Sequence, residues 1–322
     1  MKRLFSRALA AACISVACTN VYAQAYPDRP VRIVVPSAPG GSTDQLARIM
    51  GQKLSEKWGQ TVVIENKPGA GLTLGADYVS KQPADGYTIL MGALHHSIAP
   101  AVYKKLPYDF QRDLAPITVI AVVPNVLIVP EASPAKSVAE LIALAKSKPN
   151  GLTYGSTGAG TAHHLIGEQF NDMAGVQTLH VPYKGSGPAL IDLMGGRVDI
   201  MFDTVASCLP HIKSGKVRAL AVATAKRSSA LPDVPTLDEA GLTGFDIASW
   251  FGFLAPMGTP QPIIDKVYRD SADILKTDAV RQQLLAMGAE PVGNTPAEMT
   301  TQIAEETVRF KALAQKANLS VD

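Results

Sequence analysis

VRIVVPSAPGGSTD, Val31 to Asp44, places a strand, a bare loop and a helix start in one short run. Val31, Ile33, Val34 and Val35 are β-branched and lie between Pro30 and Pro36, the pattern of a short buried strand. Ala38-Pro39-Gly40-Gly41 follows, a loop whose glycines allow a ligand close to the backbone. Ser42 fits a helix N-cap, and Gln45 three residues on completes a Ser-x-x-Gln capping box. Leu46, Met50, Leu54 and Trp58 then recur at i+4, one apolar stripe of a helix. A strand, a glycine loop and a helix N-terminus aim free N–H groups and a positive dipole end at one point, which suits an anion.

The device recurs at LTYGSTGAGTAHHL, residues 152–165. A strand over Leu152 to Tyr154 enters a loop with Gly155, Gly158 and Gly160, and Thr161 caps a helix carrying Leu165, Ile166 and Phe170. One such loop is ordinary turn chemistry. Two, well apart, suggest two lobes that each offer a helix N-terminus to a shared ligand.

Residues 1–23 stand apart as an export signal. Lys2, Arg3 and Arg7 precede an apolar run from Ala8 to Ala17, and Val21-Tyr22-Ala23 fits small-x-small cleavage, with Ala25 as a second exit. Loss of those three cations moves the formal net charge from +2 to −1, which argues against nucleic acid as a partner. No further polybasic or apolar segment points to a membrane. Cys13 and Cys18 leave with the signal, so Cys208 has no intramolecular disulfide partner.

Between the two loops, TVVI (residues 61–64) and YTILM (87–91) read as strands. Glu65 to Gly71 is a third glycine-rich loop, and Gly92-Ala93-Leu94-His95 lies at the end of the YTILM strand. Strands alternating with helices at this interval imply βαβ units and a largely parallel sheet, with ligands beyond the carboxyl ends of the strands. Residues 116–130 and 250–256 are apolar, extended and ended by proline, as expected of two crossings between domains. Strands over 178–182, 198–202 and 217–223, and helices opened by Ser137, Thr259 and Thr295, complete the pattern.

Catalytic and metal motifs are missing. Neither glycine loop continues as Gly-Lys-Ser/Thr, and Gly-x-Ser-x-Gly and His-Glu-x-x-His do not occur. His95-His96 and His163-His164 make a zinc receptor conceivable, but neighbouring side chains diverge and no carboxylate cluster accompanies them. Asp203 is either a helix cap or an acceptor for a ligand hydroxyl, and Asp44 is either a first-turn charge or a ligand contact. Lys184 either pairs with a ligand carboxylate or is solvated, and Tyr183 stacks on a ligand or walls the cleft.

Tyr26-Pro27-Asp28-Arg29-Pro30, the Val34–Asp44 segment, Glu65 to Gly71, Asp85-Gly86-Tyr87-Thr88, Tyr154 to Gly158, His180 to Gly185, Asp199 to Asp203, Leu231 to Thr236 and Gly288 to Pro291 resemble the receptors of tripartite tricarboxylate transporters, also called Bug receptors. The resemblance spans the mature chain in order. It implies an α/β, two-lobed periplasmic binding protein of type II-like, Venus-flytrap form, with two Rossmann-like domains joined by two crossover strands. Lobe 1 would comprise 24–125 and 248–322, and lobe 2 126–247. It implies no enzymatic activity, no cofactor and no metal. The monomeric receptor would hold a small carboxylate by backbone amides and water and hand it to membrane permease subunits. Carried over residue by residue, the binding segments are Ser37 to Asp44 (with Pro39, Gly40, Gly41, Ser42 and Thr43), Gly92 to His95 (with Ala93), Ser156 to Thr161 (with Thr157, Gly158, Ala159 and Gly160) and Asp203-Thr204; Tyr183 joins them from its own place beside the cleft. Leu72, where the family often has glycine, and His95-His96 depart from the pattern, and ligand identity is expected to be decided at the His95-His96 end. A sensor subunit feeding a membrane kinase would share all these features.

Overall fold

The computed structural model describes residues 26–148 and 151–321, so the export signal lies outside the described residues. Strands β1 (Val31–Val35), β2 (Val62–Asn66) and β3 (Thr88–Ala93) pair in parallel in the order β2-β1-β3. Helices Ser42–Trp58 and Thr73–Ser80 make the crossovers. β4 (Leu114–Pro130) follows, then β5 (Leu152–Ser156), β6 (Thr178–Pro182) and β7 (Ile200–Thr204), which repeat the motif as β6-β5-β7. Beyond them come β8 (Val217–Val222), β9 (Ala248–Pro256) and the short β10 (Glu290–Pro291).

The two halves rhyme. β3 pairs antiparallel with β9 and β9 with β4, while β7 pairs antiparallel with β4 and β4 with β8. β4 therefore serves both halves. Its residues Leu114 to Pro124 pair with β9, and from Asn125 onward it pairs with β7 and β8. Pro124 has no N–H to extend the first ladder, so the strand changes partners where its chemistry interrupts pairing.

Alternation along the strands sends side chains into two apolar layers. Val34, Leu90, Leu127, Phe202 and Leu254 enter one layer, with Phe170, Trp250 and Phe310. Val31, Ile33, Ile89, Val126, Met201 and Phe253 enter the other, with Leu46, Met50 and Leu54 of the first helix. Phe310 comes from the helix Pro296–Lys316, which Thr295 opens with a full capping box to Glu298.

Several boundaries depart from the sequence reading. Thr259 does not cap a helix: its hydroxyl donates to Pro256 O, and the helix Gln261–Lys276 starts behind Pro260. Ser137 accepts from Glu140 N–H, but the Glu140 carboxylate reaches Lys136 N–H, leaving the box half made. β7 runs two residues later than the apolar run suggests, so Asp203 and Thr204 belong to the strand. No helix among the described residues is long and apolar enough to cross a membrane.

A cleft ringed by helix N-termini

The helix Ser42–Trp58 begins behind Gly41, and no side chain caps it. The expected capping by Ser42 is therefore corrected. Its hydroxyl lies 2.6 Å from Thr204 Oγ1, spanning from the β1 loop to the end of β7. Asp44 faces its own neighbours. Its carboxylate accepts from Gly40 N–H at 3.1 Å, Arg48 Nε at 3.0 Å and Asn66 Nδ2 at 3.0 Å. Burial alone would raise its pKa, but these donors hold it below the ordinary value.

Across the cleft, Thr161 caps the helix Ala162–Ala174, accepting from His164 N–H and donating to Gly158 O at 2.7 Å. Ser186 opens the helix Ser186–Met194 and donates to Asp203 Oδ1 at 2.7 Å. Asp203 is fully buried and also accepts from Ser207 Oγ at 2.5 Å and Thr204 N–H at 2.8 Å. Burial pushes its pKa up to about 6 against the pull of these donors. Asp203 is not among the residues lining the cavity, and these neighbours occupy most of its acceptor capacity. It positions Ser186 and Thr204.

A small cavity of about 30 Å³ lies between these walls. Of the sequence-derived positions, Ser37, Gly41, Ser42, Thr43, Ala93, His95, Thr157, Thr161 and Thr204 line it. Pro39, Gly40, Asp44, Gly92, Ser156, Gly158, Ala159, Gly160, Tyr183 and Asp203 are not among the lining residues. Tyr183 turns its hydroxyl to Asp192 at 2.8 Å, and Ser156 Oγ meets His180 Nε2 at 2.7 Å. Lys184 is exposed, and only its carbonyl takes part, accepting from Ala38 N–H at 2.8 Å.

Leu94, inside the expected Gly92–His95 segment, also lines the cavity; sequence reasoning missed Leu72, Ala162, His163, Gly185, Ser186, Ser249 and Phe251, which line it too. Ser249 and Phe251 sit two apart on β9 and so face the same side, a signal the alternation rule contains. Leu72 holds a left-handed φ of 69°, which nothing in its residue type announces.

Helices starting at Ser42, His95, Ala162, Ser186 and Val205 all open at this cavity, the last with Thr204 as N-cap. The first turn of each has N–H groups without intrahelical partners, so positive dipole ends converge on one space. No lysine or arginine appears among the described lining residues. Ser37 Oγ and His95 Nε2 are buried there without a hydrogen-bond partner in the protein. Burial keeps the His95 and His163 rings neutral, the pKa of His163 falling to about 3. The walls touch elsewhere: Tyr103 OH donates to Ala159 O at 2.9 Å, and a Cβ on Gly187 would lie 2.4 Å from Pro39 O. Among the described residues no group of three or more His, Cys, Asp or Glu is placed to hold a metal.

The family model described as "Tripartite tricarboxylate transporter family receptor" matches residues 46–319. Protein BugT of Bordetella pertussis is 37% identical over 298 residues, covering 92% of this chain and 91% of its own. The structure titled "R. palustris Rpa4515 with adipate" is 41% identical with a TM-score of 0.89, over 92% of this chain and 99% of that one. MatC from Rhodopseudomonas palustris, solved with bound malate, is 34% identical with a TM-score of 0.86, over 89% and 99%. The structure titled "Structure of periplasmic binding protein BugD" is 37% identical with a TM-score of 0.89, over 92% of this chain and 99% of that one. The chain belongs to the receptor family of the tripartite tricarboxylate transporters.

Proposed function

We propose that the protein captures one small carboxylate, a di- or tricarboxylate or an aromatic carboxylate, in this cleft. It then delivers the ligand to the membrane permease subunits of a tripartite tricarboxylate transporter. The observation that carries the reading is the convergence of five helix N-termini on a cavity without a cationic lining residue. Such a site stabilises a carboxylate by N–H donors and dipoles rather than by an ion pair. The adipate and malate held by the two related structures support the ligand class.

On this reading the lobes divide at 125/126 and 247/248; the change of partners in β4 at Pro124 and Asn125, and the start of β9 at Ala248, support it. The receptor works as a monomer in the periplasm once residues 1–23 are removed. Its role is to bind rather than to turn over its ligand, a reading that its membership of a receptor family supports. Closure excludes water and strengthens each hydrogen bond to the ligand.

A thermal-shift screen of the mature protein against carboxylates and divalent metals tests this. A ligand at a hundredfold excess over Kd adds about 2.7 kcal/mol to apparent stability, a shift of several degrees. One carboxylate class is expected to raise Tm. A rise with zinc alone would overturn the reading.

A further inference from the structure

Asn125 lies fully buried where β4 changes partners. Its amide orientation is fixed by one contact: Nδ2 stands 2.7 Å from the Ile247 carbonyl, which can only accept. Oδ1 is therefore the acceptor for its other two neighbours, Ser249 Oγ and His163 Nε2, each at 3.1 Å. His163 Nε2 carries the ring proton. The ring touches no carboxylate here, only Asn125 and Thr157, so nothing offsets the penalty of burying its charged form. A neutral imidazole has one N–H, which leaves Nδ1 bare. Nδ1 lies 2.7 Å from Thr157 Oγ1, so the threonine hydroxyl must donate to it.

The direction of the whole relay follows. Thr157 donates to His163, His163 to Asn125, and Asn125 to the Ile247 carbonyl, while Ser249 also donates to Asn125. Thr157 and Ser249 both line the cavity, and the single hydrogen of each is directed away from it. The two side-chain hydroxyls therefore have lone pairs, and no hydrogen, left for a ligand.

We infer that this wall reads a hydrogen-bond donor on the ligand, and that the ligand is a hydroxycarboxylate. Its carboxylate faces the helix N-termini and its hydroxyl faces Thr157 and Ser249. An ammonium donor would bring a full positive charge to a space where positive helix ends converge, which a neutral hydroxyl does not. A second ionised carboxylate against these two hydroxyls would meet acceptors alone. Asn125 and His163 are positioning residues, because they act by fixing where the Thr157 and Ser249 hydrogens point. The inference rests on the carboxylate reading above and narrows it.

Calorimetry on the full mature chain with malate against succinate, 3-hydroxybenzoate against benzoate, and aspartate tests it. In the pair that binds, the hydroxy acid is expected to be at least about tenfold tighter. Thr157→Val is expected to compress that ratio to about threefold or less, and Thr157→Ser, which keeps the oxygen, to preserve it. A ratio near one in the wild type, a ratio unmoved by Thr157→Val, or aspartate binding more tightly than malate would overturn the inference while leaving the receptor reading intact. Failure of every acid to bind would overturn both.

Discussion

Gly187→Val is expected to weaken ligand binding about 100-fold while changing the unfolding temperature of the ligand-free protein little. Gly187 is the second residue of the helix Ser186–Met194 and is not among the glycines with positive φ, so a side chain carries no backbone penalty there. The obstacle is on the other wall, where Pro39 O would lie 2.4 Å from the new Cβ. Atoms that close cannot coexist, so the walls must separate before the residue fits. The open arrangement relieves the clash and the closed one does not. A variant that reaches the closed state a hundredfold less often binds with a hundredfold higher Kd, about 2.7 kcal/mol. Calorimetry gives the affinity, and small-angle scattering gives the compaction on adding ligand, which the variant should lack. Unchanged affinity would show that the approach of Pro39 and Gly187 is no part of the bound state.

Acid lability is the second large effect. His95, His96 and His163 are buried and held neutral, with folded-state pKa values well below normal, about 4 for His96 and about 3 for His163. In the unfolded chain they protonate near pH 6.5. They therefore contribute stability that is fully present above that pH and lost as pH falls toward their folded values. At pH 5 His96 and His163 each lose about 2 kcal/mol, and His95 acts in the same direction. Asp203 works in the opposite sense. Its folded pKa is raised to about 6, so protonation favours the native state as pH falls below that value. That gain, about 1 kcal/mol at pH 5, offsets only part of the imidazole loss. Urea unfolding is expected to show stability falling by several kcal/mol between pH 7 and pH 5, and His163→Gln is expected to flatten the slope. A flat profile over that range would show that the rings are not buried as described.

Much of the architecture is legible because strand and helix periodicities differ. The β-branched run of Val31–Val35 and the i+4 stripe from Leu46 to Trp58 each allow one reading, and the structure places a strand and a helix there. The repeat of that unit at residues 152–165 announced a second half of the sheet. Individual hydroxyls were not legible. Ser42 satisfies every local rule for a cap, yet its hydroxyl faces Thr204, 162 residues away, a partner that only tertiary structure supplies. Asp44 and Asp203 stand next in sequence to lining residues, but each is enclosed by neighbouring donors. Ser186 went unremarked for a related reason: it stands in a glycine loop resembling any turn, and its importance comes from Asp203 behind it. Leu72 was visible only as a departure from glycine, whereas its left-handed backbone and its place in the lining come from the contacts of the fold.

The central claim is that an anionic carboxylate, rather than merely a molecule of the right shape, is held by uncharged N–H groups and helix dipoles. Calorimetric titration with the best-binding acid and its methyl ester, at one pH and one ionic strength, tests that most directly. The ester keeps the body of the ligand and removes the charge. Saturation at one site by the acid, with the ester at least about 100-fold weaker, is the expected result. Equal affinity for the two would contradict the account, because the converging helix N-termini would then contribute nothing to recognition.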